Sequence, residues 1–154
     1  SQADMLKCYN YDIVCQEVPD EITLAVNISC CPNRCPGCHS PWLWSDEGED
    51  MTEDMLSALI DRYSSAITCF CFMGGDAEPF EVERLSRWIR QKYGHLRTAW
   101  YSGREAIPVG FDLSVMDFVK TGPYIAERGG LKSPDTNQAL YRILPDMTLE
   151  RIFL

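Results

Sequence analysis

Three cysteines within eight residues, in the stretch Cys31-Pro-Asn-Arg-Cys35-Pro-Gly-Cys38-His39, restrict this chain more than any other feature of it. Pro32, Pro36 and Gly37 keep the segment out of both helix and strand. A loop of this kind can wrap its sulfurs around one centre, and thiolates at short fixed spacings are how proteins hold iron–sulfur clusters and many zinc ions. Cys30 competes with Cys31 for the first position. Cys31 is preferred because it gives the spacing C-x3-C-x2-C, while Cys30 ends the preceding strand. Two readings follow from the residues alone. Cys31, Cys35 and Cys38 can hold a four-iron cluster and leave one iron without a protein ligand, open for chemistry. With His39 as a fourth ligand, the same cysteines can instead close a structural zinc site.

The surroundings of this loop predict an α/β architecture. Ile22 to Ile28 alternates apolar and β-branched residues, as a strand does. Thr52 reads as a helix N-cap with Glu53 and Asp54 in the first turn, and Met55, Leu56, Leu59, Ile60 and Tyr63 make one apolar face. Ala66 to Met73 is apolar on both faces, which suits a buried parallel strand. It ends at Gly74-Gly75-Asp76. A second helix starts near Pro79, with Val82, Leu85, Trp88, Ile89 and Tyr93 on its buried side, and Gly94 ends it. Thr98 to Tyr101 is a third strand, broken by Ser102-Gly103. Strands are further expected at 115–119, 138–144 and 149–153, with a loop at 127–138. Residues 8–20 read as an irregular lead-in.

Strand–helix repeats with short connections predict a parallel sheet, with ligands at the carboxyl ends of its strands. The cysteine loop, Gly74-Gly75-Asp76 and Ser102-Gly103 each follow a strand, so they are expected on one rim. A closed eight-unit barrel needs at least ~200 residues, more than the 154 here. The expectation is therefore one domain over 1–154, with residues 1–20 as lead-in and a core of about 21–144. Its fold is expected to be an incomplete, open TIM-type β/α barrel, with a parallel sheet and the helices outside.

A net charge of −9 argues against a nucleic-acid groove. No apolar run is long enough to span a membrane, and with no export signal read in the sequence the eight cysteines point to the reduced cytoplasm rather than to disulfides. Cys69 and Cys71 lie in an apolar run and are expected in the core. Trp42 and Trp44 are expected to cover the site, Trp88 and Trp100 to pack as core or lid, and His95 to sit at the surface. The amides of Asn137 and Gln138 are read as satisfying nearby backbone. Asp76 has two possible roles, ligand contact or cap of the following helix. No hydrolase constellation or phosphate-cradling loop is present.

These residues resemble the radical S-adenosylmethionine superfamily and, more narrowly, the activating proteins of anaerobic ribonucleoside-triphosphate reductase. The similarity runs from about Asp12 to Ile143. It includes Cys35-Pro-Gly-Cys38-His39, Gly74-Gly75-Asp76, Trp100-Tyr-Ser-Gly103, Asp117-Phe-Val-Lys-Thr-Gly-Pro-Tyr124 and Ser133-Pro-Asp-Thr-Asn-Gln138. The chain departs from the pattern at Glu17-Val-Pro-Asp20, Met73, Ala77-Glu78 and Ala139. The resemblance implies a 4Fe–4S cluster on Cys31, Cys35 and Cys38, with S-adenosylmethionine bound at its open iron. Gly37, Cys38 and His39 would line the near side of that molecule. Gly74, Gly75 and Asp76 would hold its methionine end, with Ser102 as a further contact. It also implies a flavodoxin-type electron donor, cleavage of S-adenosylmethionine to a 5′-deoxyadenosyl radical, and hydrogen abstraction from a glycine of the reductase. A different glycyl-radical enzyme as partner, or a non-enzymatic Cys3His zinc module, are the alternatives.

Overall fold

The computed structural model describes residues 5–29 and 48–154. One eight-stranded sheet runs through them, ordered β3-β1-β2-β4-β5-β6-β7-β8. Its inner strands are β2 (Thr23–Ile28), β4 (Cys69–Met73), β5 (Arg97–Tyr101) and β6 (Phe118–Thr121), and each pairs in parallel with the next. Antiparallel strands flank them: β1 (Lys7–Val14) and the two-residue β3 (Glu49–Asp50) on one side, β7 (Ala139–Ile143) and β8 (Leu149–Ile152) on the other. The sheet is therefore mixed, with the expected parallel order confined to its centre.

Both helices form where capping and periodicity place them. Thr52 Oγ1 accepts from the Met55 N–H at 3.1 Å, and α1 runs Glu53–Tyr63 with Leu56, Leu59 and Ile60 buried. The second helix, α2, runs Pro79–Lys92 with proline at its start, and buries Val82, Leu85 and Ile89. These faces pack on Leu24, Val26, Ile28, Phe70, Phe72, Trp100 and Val119 of the inner strands, in one large core. The opposite face of the sheet carries a smaller cluster of Val18, Cys69, Cys71, Ala99, Tyr101, Phe118 and Leu140. Phe70 and Phe72 thus face the helices while Cys69 and Cys71 face away, which is why β4 is apolar on both sides.

Three expectations need correction. Residues 7–14 of the lead-in form β1, an antiparallel strand whose Tyr9 and Tyr11 remain exposed. The strand read from Ala66 begins at Cys69, because the Ala66 and Ile67 N–H groups donate to the Tyr63 carbonyl and close the end of α1. The strand read over 115–119 is displaced to Phe118–Thr121. Ahead of it stands a 3-10 turn at Leu113–Val115, held by Asp112, whose carboxylate accepts from the Ser114 N–H and hydroxyl at 3.0 and 2.6 Å. The expected strands at the end of the chain form as β7 and β8. Trp100 is fully buried and His95 is exposed. Trp42 and Trp44 lie outside the described residues.

Candidate functional site

Parallel register brings the ends of the inner strands level. Asn27 of β2 pairs with Met73 of β4, and Met73 with Tyr101 of β5, which in turn pairs with Lys120 of β6. The residues that follow are Ile28-Ser29, Gly74-Gly75-Asp76, Ser102-Gly103 and Thr121-Gly122. They form one continuous rim, as the order of elements predicts.

The two described stems that flank the cysteine segment stand at this rim. Cys30, Cys31, Cys35, Gly37, Cys38 and His39 lie outside the described residues, but both stems of the segment are placed. On the near side, the Ser29 N–H donates to the Lys7 carbonyl at 3.0 Å. On the far side, β3 pairs with Lys7 and Cys8, and the Met51 N–H donates to the Leu6 carbonyl at 2.8 Å. Entry and exit therefore bracket β1, two strand spacings or about 10 Å apart. Among the described residues, no group of three or more His, Cys, Asp or Glu side chains is placed to hold a metal. The three-thiol loop carries the donor set suited to a cluster.

Gly74 and Gly75 lie directly against the strand that feeds this loop. Their φ angles are +101° and +87°, in the region where a side chain is strained. A Cβ on Gly75 would come within 2.9 Å of Val82 Cγ2 and 3.2 Å of Ile28 Cδ1; one on Gly74 would meet the Ile28 carbonyl oxygen at 3.4 Å. The turn is thus glycine both to reach its conformation and to lie close to β2. The backbone groups of this turn are largely engaged within the chain, the Gly75 carbonyl accepting from the Glu78 N–H at 3.1 Å. The Gly74 N–H donates to the Tyr101 carbonyl at 2.9 Å, and the Gly74 carbonyl accepts from the Trp100 indole N–H at 2.7 Å.

Asp76 does not cap α2, whose N-cap is Glu78. It is 6% exposed, and its two oxygens accept from β5: Oδ1 from the Ser102 hydroxyl at 2.5 Å, Oδ2 from the Gly103 N–H at 2.9 Å. Ser102 is fully buried, and its Oγ accepts in turn from the Arg104 N–H at 3.0 Å. The rim network continues across the sheet. Lys120 Nζ donates to the carbonyls of Ser102 and Gly122 at 2.9 and 3.2 Å, and Gln138 Nε2 donates to Gly122 at 3.3 Å. Asn137 Nδ2 donates to the Pro123 carbonyl at 2.9 Å. Asn137 and Gln138 therefore satisfy backbone, in agreement with their sequence reading. Lys120 was not singled out in the sequence. Its signal was there, a cation inside a strand whose neighbours Val119 and Thr121 are buried.

Cys8, Cys69 and Cys71 are unsuited to ligation, which needs the thiolate. Burial pushes Cys8 up to about 11, with help from Glu49, and Cys69 up to about 12. Burial also pushes Cys71, in the same cluster, well up from the usual thiol range. Cys15 is exposed. No helix among the described residues is long and apolar enough to cross a membrane.

No curated protein and no solved structure matches the chain. A family described as a 4Fe-4S single cluster domain matches residues 21–125, about two thirds of the chain, from the start of the first inner strand to just past the fourth. The match contains the whole cysteine loop and every rim turn from Ser29 to Gly122. By the extent of that match, this chain belongs to the 4Fe-4S single cluster domain family.

Proposed function

We propose that this iron–sulfur domain is a radical S-adenosylmethionine activase that places a glycyl radical on the anaerobic ribonucleoside-triphosphate reductase. Its mixed sheet, with helices on one face, is read as an open β/α barrel of the radical S-adenosylmethionine type. The observation that carries the proposal is the convergence of the stem of the cysteine loop, the Gly74–Gly75 turn and the Ser102–Gly103 turn on one rim. A closed structural metal site has no need of a second ligand grip beside it, whereas a cluster with an open iron does.

In this reading Cys31, Cys35 and Cys38 hold the cluster, while Gly37 and His39 line the near side of the bound S-adenosylmethionine. A cluster held there and reduced by a flavodoxin-type donor would supply the one electron needed to cleave S-adenosylmethionine to methionine and a 5′-deoxyadenosyl radical, and that radical would take a hydrogen atom from the partner's glycine. The chain's own residues bind and orient. The glycine turn lets backbone approach the methionine end closely, with Asp76 and Ser102 behind it. Among the described residues the edge strands β3 and β8 do not pair with each other, and this reading takes the open side as the entry for a partner's loop. The setting is the cytoplasm, without nucleic acid or membrane.

The test is electron paramagnetic resonance on an anaerobic mixture of the cluster-loaded protein, a reductant, S-adenosylmethionine and the reductase of the same organism. A glycyl-radical doublet that disappears with Cys35→Ala is the expected result. 5′-Deoxyadenosine without a doublet would keep the chemistry and move the assignment to another glycyl-radical enzyme. Neither signal from a fully loaded protein would overturn the reading.

A further inference from the structure

An exposed phenylalanine and an exposed valine meet at the rim end of the molecule, on the side of the helices. Val109 is 99% exposed and Phe80 52%. A Cβ at Gly110 would lie 4.0 Å from Phe80 Cζ, so the loop tip that carries Val109 stands beside the ring. Both residues belong to segments that leave the rim. Phe80 lies in the first turn of α2, which starts just after Gly74-Gly75-Asp76. Val109 lies on the segment that leaves β5 at Ser102–Gly103 and returns as β6. We propose, resting on the reading of this rim as the radical-generating site, that Phe80 and Val109 form a docking surface for the radical-receiving enzyme, whose matching surface is an apolar socket.

The tip is held rigidly. The Phe111 N–H donates to the Pro108 carbonyl at 3.2 Å and Gly110 has φ of +89°, so Pro108 to Phe111 is a closed turn with Val109 at its outer corner. Its base is pinned to the fold. Phe111 stacks on buried Trp100, with ring centroids 5.0 Å apart and 22° between planes. Asp112 accepts from Arg87 of α2 at 3.1 Å, and the Arg104 carbonyl accepts from the Gly122 N–H of the rim at 2.6 Å. A valine held in water contributes nothing to the core, whereas a contact already in place lowers the ordering cost of association. Apolar side chains exposed singly are ordinary; adjacent ones on a fixed frame, with an aromatic ring as anchor, suit a protein interface. The occupant follows from the place. A protein loop that reaches the Gly74–Gly75 and Ser102–Gly103 turns brings the body of its protein over the segments that leave those turns, and these carry Phe80 and Val109.

Val109→Asp, Phe80→Asp and the double variant change only surface side chains, and an acidic residue suits the first turn of α2. Met147→Asp is the control. Met147 is an exposed apolar residue on the β7–β8 turn, at the opposite end of the sheet, where the Ile143 N–H donates to the Asp117 carbonyl ahead of β6. The experiment measures the dissociation constant of the cluster-loaded protein for the reductase of the same organism and the glycyl-radical doublet with dithionite as reductant. It also measures 5′-deoxyadenosine formed without the reductase. We expect the double variant to bind the reductase about tenfold more weakly or worse, with a smaller doublet when the reductase is below saturation. Its 5′-deoxyadenosine should equal the parent's, and Met147→Asp should match the parent in every measurement. Parent-like affinity of the double variant overturns the proposal. In that case a loss confined to assays driven by a flavodoxin-type protein assigns the patch to the donor, and dissociation of a parent dimer assigns it to a second copy. An equal fall in 5′-deoxyadenosine also overturns it, because the substitutions would then act on the site itself. A cluster-loaded parent that forms no 5′-deoxyadenosine refutes the reading of the rim, a result separable from all of these.

Discussion

Gly75 shows how little freedom single positions have at this rim. Its Cβ would lie 2.9 Å from a core methyl of Val82, on a backbone with φ of +87°. Gly75→Ala should therefore cost about 1–3 kcal/mol, from left-handed strain and overpacking together. Urea unfolding would check this, with Gly94→Ala as a control, since the nearest contact there is ordinary at 4.0 Å. The cysteines divide just as sharply. Cys35→Ala should abolish most of the bound iron and sulfide, while Cys8→Ala and Cys69→Ala should keep it, because their thiols are buried and protonated. Iron and sulfide analysis of the purified variants decides this. Titration gives a further check. The Cys69 thiol rises from 9.0 to about 12 on folding, through burial first. The neutral form is the one the fold favours, so its contribution to stability is complete below the unfolded value and is lost as pH rises from about 9 through about 12. Thermal midpoints should decline over that alkaline range, and less steeply in Cys69→Ala.

At the scale of elements, the junction between α2, β5 and β6 depends on Asp117. Its Oδ2 accepts from Arg90 of α2 at 2.6 Å and from the Thr98 N–H of β5 at 2.8 Å. Thr98, itself buried, donates its hydroxyl to the Val115 carbonyl at 2.6 Å. Asp117→Ala would leave the buried Thr98 N–H without this partner and free α2 from the strand beneath. A loss of about 1–3 kcal/mol is expected, read from denaturant midpoints. Much of this layer was legible beforehand. Thr52, Pro79 and Gly94 mark their helix ends by local chemistry, and β5 stands where its apolar run lies. The errors occurred where local pattern and tertiary partner disagree. Tyr9-Asn-Tyr-Asp-Ile13 does alternate, but β3 covers only Lys7 and Cys8 of this strand and Tyr9 to Asp12 are all exposed, so no apolar run announces it. The 3-10 turn before β6 arises from the short-range bonding of Asp112 to Ser114, which interrupts an otherwise strand-like run.

For the whole molecule, the main core among the described residues is built from β2, β4, β5, β6 and both helices. Removing the iron with a chelator under anaerobic conditions should therefore leave a folded sheet with a cooperative melt. A small domain organised by its metal would instead unfold. Far-ultraviolet circular dichroism before and after chelation makes the comparison. The sequence alone determined which residues can do chemistry: three thiols at C-x3-C-x2-C, a glycine pair, and the alternation of strand and helix that puts them at strand ends. Those are properties of spacing and residue type, and spacing is local. Only the tertiary structure decided how the weaker motifs combine. That Asp76 reaches Ser102 and Gly103, that Trp100 bonds Gly74, and that Lys120 joins two rim carbonyls are contacts across neighbouring strands. Residues 26 apart in the chain meet there because parallel register aligns the strand ends, and no local pattern encodes which donor finds which acceptor.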